Sequence, residues 1–315
     1  MGVSLDINKG KSHLFVLKED KKMKKLLAIV LICILAFGMV GCGDGNDADK
    51  VGFAVSTQTN PFFVTLVDGA KAAAEDAGID LIVTDANDDA ATQANNIEDL
   101  IAKGVKVLIV NPVDSDAVKA PVQKALDAGI KVIAVDRAVN GATVDCSIAS
   151  DNVLGAELAT KELVKLLGEG AEVIELEGIT GASATVDRGK GFHNIADTQL
   201  KVVAKQTAKF DRAEGEKVMS NLLQAHPNVK GVFAHNDEMA LGALKAIQSA
   251  NKDVKVIGFD ATDDALKAVK DGTLAATIAQ QPDLMGKTAV ETAVKLIAGE
   301  TVEASIPVEV KLVTK

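Results

Sequence analysis

The chain has 315 residues, enough for one large domain or two ordinary ones, with the apolar share of a globular protein and no low-complexity tract. Its formal charge is −10; the first 41 residues hold seven Lys against three acidic residues, +4, so the remainder stands at −14. That balance excludes the usual basis of nucleic-acid binding, in which Lys and Arg neutralise phosphates.

The N-terminus reads as an address. Met23-Lys24-Lys25 precedes about fifteen apolar residues, the pattern of a secretory signal and near the lower limit for a membrane span. Met39-Val40-Gly41-Cys42 resembles a bacterial lipobox, in which the cysteine is lipidated and becomes the N-terminus. An uncleaved anchor and cleavage at another peptide bond are the alternatives. Residues 1–22 lie ahead of a better start at Met23 and read as a spurious extension; residues 43–50 read as a polar tether. Cys33 leaves with the signal and Cys42 carries lipid, so the mature body keeps Cys146 alone, which excludes an internal disulfide and suits a small buried hydrophobe. The four histidines are scattered and no metal spacing occurs, so no metal and no cofactor are expected.

From residue 51, β-branched runs alternate with helical segments, the pattern of parallel strands joined by crossover helices. Strands are predicted over 51–55, 80–84, 107–110, 131–135, 172–176, 201–205, 231–234 and 255–259, with a last one over 306–313. Helices are predicted over 61–77, 90–103, 115–128, 153–167, 188–196, 212–225, 238–249, 262–269 and 282–297. The first helix follows Ser56-Thr57-Gln58-Thr59-Asn60, opens on Pro61, which suits a first helical position, and carries Phe62 and Phe63 in its first turn. The structural alternative for that pair is docking of the helix on its own sheet.

Two stretches echo one another. A strand ending in Asn111 leads through a helix to a strand ending in Asp136; a strand ending in Asn236 leads through a helix to one ending in Asp260. The separations are 25 and 24 residues, which favours two similar doubly wound lobes over one closed barrel. Ligands of open parallel sheets bind beyond the carboxyl ends of the strands, where all four residues fall. The plainer role for such Asn and Asp residues is capping the next helix, with Ser115 free to cap after Asn111. Asp136-Arg137 offers acceptors and donors side by side, more than a cap requires.

Dinucleotide and phosphate-loop glycine patterns are missing, as are His-Glu-x-x-His and Gly-x-Ser-x-Gly, so no enzyme activity is expected. Asn, Gln, Arg, Asp and aromatics are instead the vocabulary of a binding site.

The body resembles the periplasmic-type sugar-binding proteins of ABC importers from residue 51 to the C-terminus. The resemblance rests on Ser-Thr-Gln-Thr-Asn-Pro-Phe-Phe at 56–63, Asn-Pro-Val-Asp-Ser-Asp-Ala at 111–117, Asp-Arg at 136–137 and Ile-Ala-Ser-Asp-Asn at 148–152. It continues through Asp-Arg-Gly-Lys-Gly-Phe at 187–192, Phe-Asp-Arg at 210–212, Asn-Asp-Glu-Met-Ala-Leu-Gly at 236–242, Gly-Phe-Asp at 258–260 and Ala-Thr-Ile-Ala-Gln-Gln-Pro at 276–282. It implies D-ribose or a related pentose as ligand, hydrogen-bonded by Asn60, Asp136, Arg137, Arg188, Asn236, Asp260 and Gln280. Phe62, Phe63 and Phe210 would cover the two faces of the sugar ring. It further implies a three-strand hinge near 150–151, 280–281 and 308–309, dividing the chain into one lobe of 51–150 plus 281–308 and another of 151–280 plus 309–315. The expected partners are the permease and ATPase subunits of an importer and the membrane, through the lipid; the protein itself would be monomeric and extracytoplasmic.

Val186 and His235 depart from the family, which often has Arg and Gln there, and the absence of Trp argues against a galactose-type site. The competing readings are a binder of another monosaccharide or a furanosyl signal acting in chemotaxis or signalling, and, more remotely, a sugar-responsive repressor core. The latter carries a DNA-reading helix-turn-helix where this chain has its signal and tether.

Overall fold

A computed structural model describes residues Ala48–Lys315. The signal, Cys42 and most of the tether lie outside the described residues. Strand β1 (Lys50–Val55) starts one residue inside the stretch read as tether, because Lys50 already pairs with Asp80.

The first sheet holds β1, β2 (Asp80–Asp85), β3 (Val107–Val110), β4 (Lys131–Val135), β5 (Cys146–Ser150) and β11 (Ser305–Val308), in the order β11-β5-β4-β3-β1-β2 and parallel throughout. The second holds β6 (Glu172–Glu177), β7 (Lys201–Thr207), β8 (Gly231–Ala234), β9 (Lys255–Ile257), β10 (Ala276–Ala279) and β12 (Lys311–Thr314), in the order β12-β10-β9-β8-β6-β7, with β12 antiparallel at its edge. Both sheets are covered on two faces, as near-continuous apolar parallel strands require.

In the first lobe, α1 (Pro61–Ala77) and α9 (Pro282–Ile297) cover one face, and α2 (Ala90–Ala102) and α3 (Lys119–Asp127) the other. In the second lobe α4 (Asn152–Leu167) and α5 (Ser183–Gln199) cover one face; α6 (Arg212–Ala225), α7 (Asp237–Ser249) and α8 (Asp263–Asp271) cover the other. Phe53, Phe192, Phe233 and Phe259 are fully buried, each removing enough apolar surface to contribute about 1.5–3 kcal/mol. Helix α1 crosses α9 at Gly69 and Gly286, where a Cβ would overlap the facing backbone of Asp283 and Leu66. Only glycine lets the two helices meet so closely. The chain passes three times between the sheets: from β5 into α4, from β10 into α9, and from β11 into β12.

Several predicted bounds need correction. Helix α3 starts at Lys119, because residues 115–118 form turns tied to the Asp114 carboxylate. Helix α5 starts at Ser183 and runs to Gln199; the face it buries is built largely from Ala, Thr and Gly, which give little apolar periodicity. The predicted last strand is two strands in different sheets, broken at Glu309-Val310. Strands β5 and β10, Cys-Ser-Ile-Ala-Ser and Ala-Thr-Ile-Ala, were hidden by their small and polar residues. The strand predicted to reach Phe259 ends at Ile257.

Candidate functional site

The carboxyl ends of both sheets face one cavity, lined by Asn60, Phe62, Phe63, Asp136, Arg137, Arg188, Phe210, Asn236, Asp260 and Gln280, with Ala184. All ten candidate side chains therefore meet.

Each group reaches the cavity for a local reason. Asn60 caps α1, its Oδ1 accepting from Phe62 N at 2.9 Å, so capping and cavity-lining are one placement rather than rivals. Phe62 and Phe63 then stand edge to face, ring centroids 5.1 Å apart. Asn236 caps α7 through Met239 N at 3.0 Å, and its Nδ2 donates to Phe210 O at 3.2 Å. Phe210 adopts φ 61°, and its ring lies flat over Gly178, where any Cβ would overlap it.

The two strand-end aspartates repeat one backbone device. Asp136 N donates to Ile148 O and Asp260 N to Ile278 O, each at 2.7 Å. Both aspartates have positive φ, 65° and 125°, a conformation that L residues adopt only when the surroundings hold them. The sequence echo is thus a structural one. It stops at the asparagines: Asn111 does not line the cavity but sits fully buried beneath it. There its Nδ2 donates to Asp136 Oδ2 and to Val135 O, and its Oδ1 accepts from Ser56 N, all at 3.2 Å.

Two buried guanidiniums oppose the two carboxylates. Arg137 Nη1 donates to Pro112 O at 2.8 Å, its Nε lies 3.7 Å from Asp136 Oδ2, and its guanidinium carbon is 5.0 Å from the Phe63 ring centroid and 5.4 Å from that of Phe210, within cation–π range of both. Arg188 Nε donates to Asn152 Oδ1 at 2.8 Å and its Nη1 to His235 O at 2.5 Å. The same nitrogen is 3.8 Å from Asp260 Oδ1, and the guanidinium covers Phe259 at 3.9 Å. Burial pushes the Asp136 carboxyl up and the Asp260 carboxyl well up, with Arg137 and Arg188 respectively the strongest opposing pulls. Burial also lowers both arginines. Gln280 Nε2 donates to Asp260 Oδ1 at 2.7 Å.

Asp136 Oδ1, Arg137 Nε and Gln280 Oε1 are buried yet have no hydrogen-bond partner among the described residues. Orphaned groups of this kind are costly and rare in folded proteins. Two acceptors and a donor around a cavity walled by phenyl rings match a small polyol with apolar C–H faces and a hydroxyl rim. Asn152 and Ala184 lie outside the residues to which the sequence points; Asn152 belongs to the 148–152 motif, but nothing in the sequence marks it as the residue that orients Arg188. Val186 is exposed and away from the cavity; His235 reaches it only through its carbonyl on Arg188.

Two parallel-sheet lobes sharing a polar, aromatic-walled cleft at their strand ends define a solute-binding protein. The chain belongs to the periplasmic binding protein family, whose domain matches residues 51–301. Among particular relatives, it is 47% identical over 305 residues to the ribose import binding protein RbsB of Bacillus subtilis, covering 93% of this chain and 100% of that one. The Escherichia coli ribose import binding protein RbsB is 50% identical over 295 residues, covering 93% and 99%. An ABC transporter solute-binding protein from Mycobacterium smegmatis with bound glycerol superposes with a TM-score of 0.82 at 39% identity, covering 85% of this chain and 94% of that one.

Proposed function

We propose that this protein captures D-ribose, or a closely related pentose, between its two lobes and delivers it to the permease and ATPase of an ABC importer. The observation that carries the reading is the convergence of ten side chains from both lobes on one cavity with unsatisfied buried acceptors and donors. The identity to ribose import proteins over almost the whole chain supports the choice of sugar.

In this reading Phe62 and Phe63 cover one side of the ring and Phe210 the other, where aromatic faces complement C–H groups. Asp136, Asp260 and the Gln280 carbonyl accept hydroxyl protons; Arg137, Arg188, Asn60 and Asn236 donate. Hydrogen bonds to charged groups contribute about 1.5–3 kcal/mol each, and a sugar lacking one hydroxyl leaves a buried charge unpaired, which is the source of discrimination. The lobes of 51–150 plus 281–308 and of 151–280 plus 309–315 bend about the three crossings, and ligand biases the closed population. The protein performs no catalysis, acts as a monomer outside the cytoplasm, and is held to the membrane by lipid on Cys42.

Isothermal titration against a panel of pentoses, hexoses and furanoses tests this. The expected result is saturable one-to-one binding with D-ribose tightest; a chain that ignores every monosaccharide overturns it. Mass spectrometry of the membrane fraction tests the lipid, and an unmodified Cys42 would overturn that part alone.

A further inference from the structure

Away from the sugar cavity, the two lobes touch through a short polar strip. In the loop after β3, Ser115 N donates to Gly181 O at 3.0 Å. In return Ser183 N donates to Ser115 Oγ at 3.1 Å, and Ala138 N to Ser183 Oγ at 2.9 Å. Ser115 and Ala138 belong to loops of the first sheet, Gly181 and Ser183 to the loop and helix start that follow β6 of the second. All three bonds therefore cross from lobe to lobe.

Both partners are shaped for this. The Asp114 carboxylate accepts from Asp116 N at 2.9 Å and Ala117 N at 2.8 Å, and Asn140 N donates to Ser115 O at 2.8 Å, which fixes the loop with Ser115 fully buried. Gly181 has φ 92°, and a Cβ there would overlap the Asp114 carboxylate, so no other residue could approach as closely. Ser183 is the first residue of α5, and its N–H is one of the helix-start donors that have no acceptor within the helix. Ser115 Oγ supplies that acceptor from the opposite lobe. Ser183 Oγ makes no cap for its own helix and instead meets Ala138. Parting the lobes would hand all these groups to water.

We propose that Ser115 and Ser183, neither of which lines the cavity, form an interlobe latch that sets the balance between closed and open protein and thereby the lifetime of the bound sugar. The proposal rests on the reading that the lobes close over a ligand. Ser183 is the neighbour in sequence of the cavity residue Ala184, and its partner Ala138 that of Arg137, so the latch and the site close together. The two serines are positioning residues: they hold the closed arrangement and leave ring recognition to others.

The test uses the full mature chain with Ser115→Ala, Ser183→Ala and both together, Ala at 183 being a good helix former. D-ribose binding is read by titration and stopped-flow dissociation, and the sugar-free radius of gyration by small-angle scattering. A net neutral hydrogen bond corresponds to roughly 2–12-fold in an equilibrium, so each single variant should dissociate D-ribose faster by about that factor. The double variant should dissociate D-ribose faster than either single variant, with a combined factor that departs from the product because the two serines share one network, the association rate little changed and the sugar-saturated radius equal to the parent's. Dissociation within twofold of the parent in all variants, together with equal sugar-free radii, overturns the latch; so does a loss confined to association. A merely structural role would lower the melting temperature without changing the dissociation rate of the folded protein. A parent that ignores D-ribose overturns the proposed function instead, and the sugar-free radii of parent and double variant then decide the latch alone.

Discussion

Replacing Arg188 by Met isolates how the site manages buried charge. Met fills the volume of the arginine stem with a flexible apolar chain but removes the bonds to Asn152 Oδ1 and His235 O and the counter-charge of Asp260. Removing one partner of a buried ion pair costs about 3–5 kcal/mol when the survivor stays charged. Asp260 has an escape, because burial already raises its carboxyl well above 3.8 and Arg188 is the largest opposing pull. Without Arg188 the carboxyl rises further and takes up a proton. An acid whose folded pKa exceeds its unfolded one binds more protons when folded, so the variant loses stability as pH rises from 3.8 toward the folded value. The parent loses stability in the same way up to its own folded value, so in urea unfolding of the sugar-free chain the variant's deficit should widen only as pH climbs past that value and be smaller at pH 5 than at pH 8. Adding Asp260→Asn should restore about 1–3 kcal/mol at pH 8 and little at pH 5, the coupling expected of residues in one network. D-ribose binding stays lost in both variants. Equal deficits at the two pH values, with no rescue by Asp260→Asn, would refute the reasoning.

Gly178→Ala should push the Phe210 ring off its seat and weaken sugar binding about 2–12-fold, the equivalent of the roughly 0.5–1.5 kcal/mol of an aromatic contact, with a stability loss of about 1–3 kcal/mol from overpacking; unchanged titration would show that Phe210 does not contact the sugar. Asn111→Ala should cost about 2–4 kcal/mol in urea unfolding, since it strands the buried Ser56 N–H and frees Asp136, and a loss under 1 kcal/mol would count against its supporting role. Asp88 lies at the mouth of the cleft with Asn60, Phe63 and Arg137; its carboxyl is pushed up to about 6 by burial against the pull of Arg137, with Asp85 and Asp211 adding repulsion, and because the residue as a whole is exposed, solvent screening cuts the effect to a fraction of that shift. Closure that raises an acid's pKa is disfavoured as pH climbs from about 4 to 6 and is level above, so ribose affinity should fall a few-fold across that window and Asp88→Asn should abolish the slope. A slope that persists in Asp88→Asn assigns it elsewhere.

What the sequence made legible was whatever local chemistry fixes. Helices 61–77 and 212–225 begin and end where predicted because Asn60-Pro61 and Asp211 cap them before strongly amphipathic runs. Strands 107–110, 131–135 and 231–234 are unbroken apolar or β-branched runs between turn residues, so their ends are unambiguous. Asp136, Asn236 and Asp260 were readable because strand ends are where a doubly wound fold gathers its polar side chains, whereas Asn60, Arg188, Phe210 and Gln280 came only with the family resemblance. Strands β5 and β10 were not, since Ser, Ala and Thr become strand only by pairing with distant partners. Ser115 looked like a cap and is not one: its partner is Ser183, 68 positions away, and no local pattern encodes that meeting.

The routing of the backbone has a consequence for how the molecule is made. Helix α9 and strand β11, residues 282–308, complete the first lobe although they are synthesised after nearly all of the second. Until the ribosome has delivered them, the flank of α1 that meets α9 at Leu66, Gly69 and Ala70 lacks its partner helix and β5 stands as a bare edge. The N-terminal portion is therefore obliged to wait, and a translation product halted before residue 282 should be seized by proteases and chaperones that a full-length one escapes.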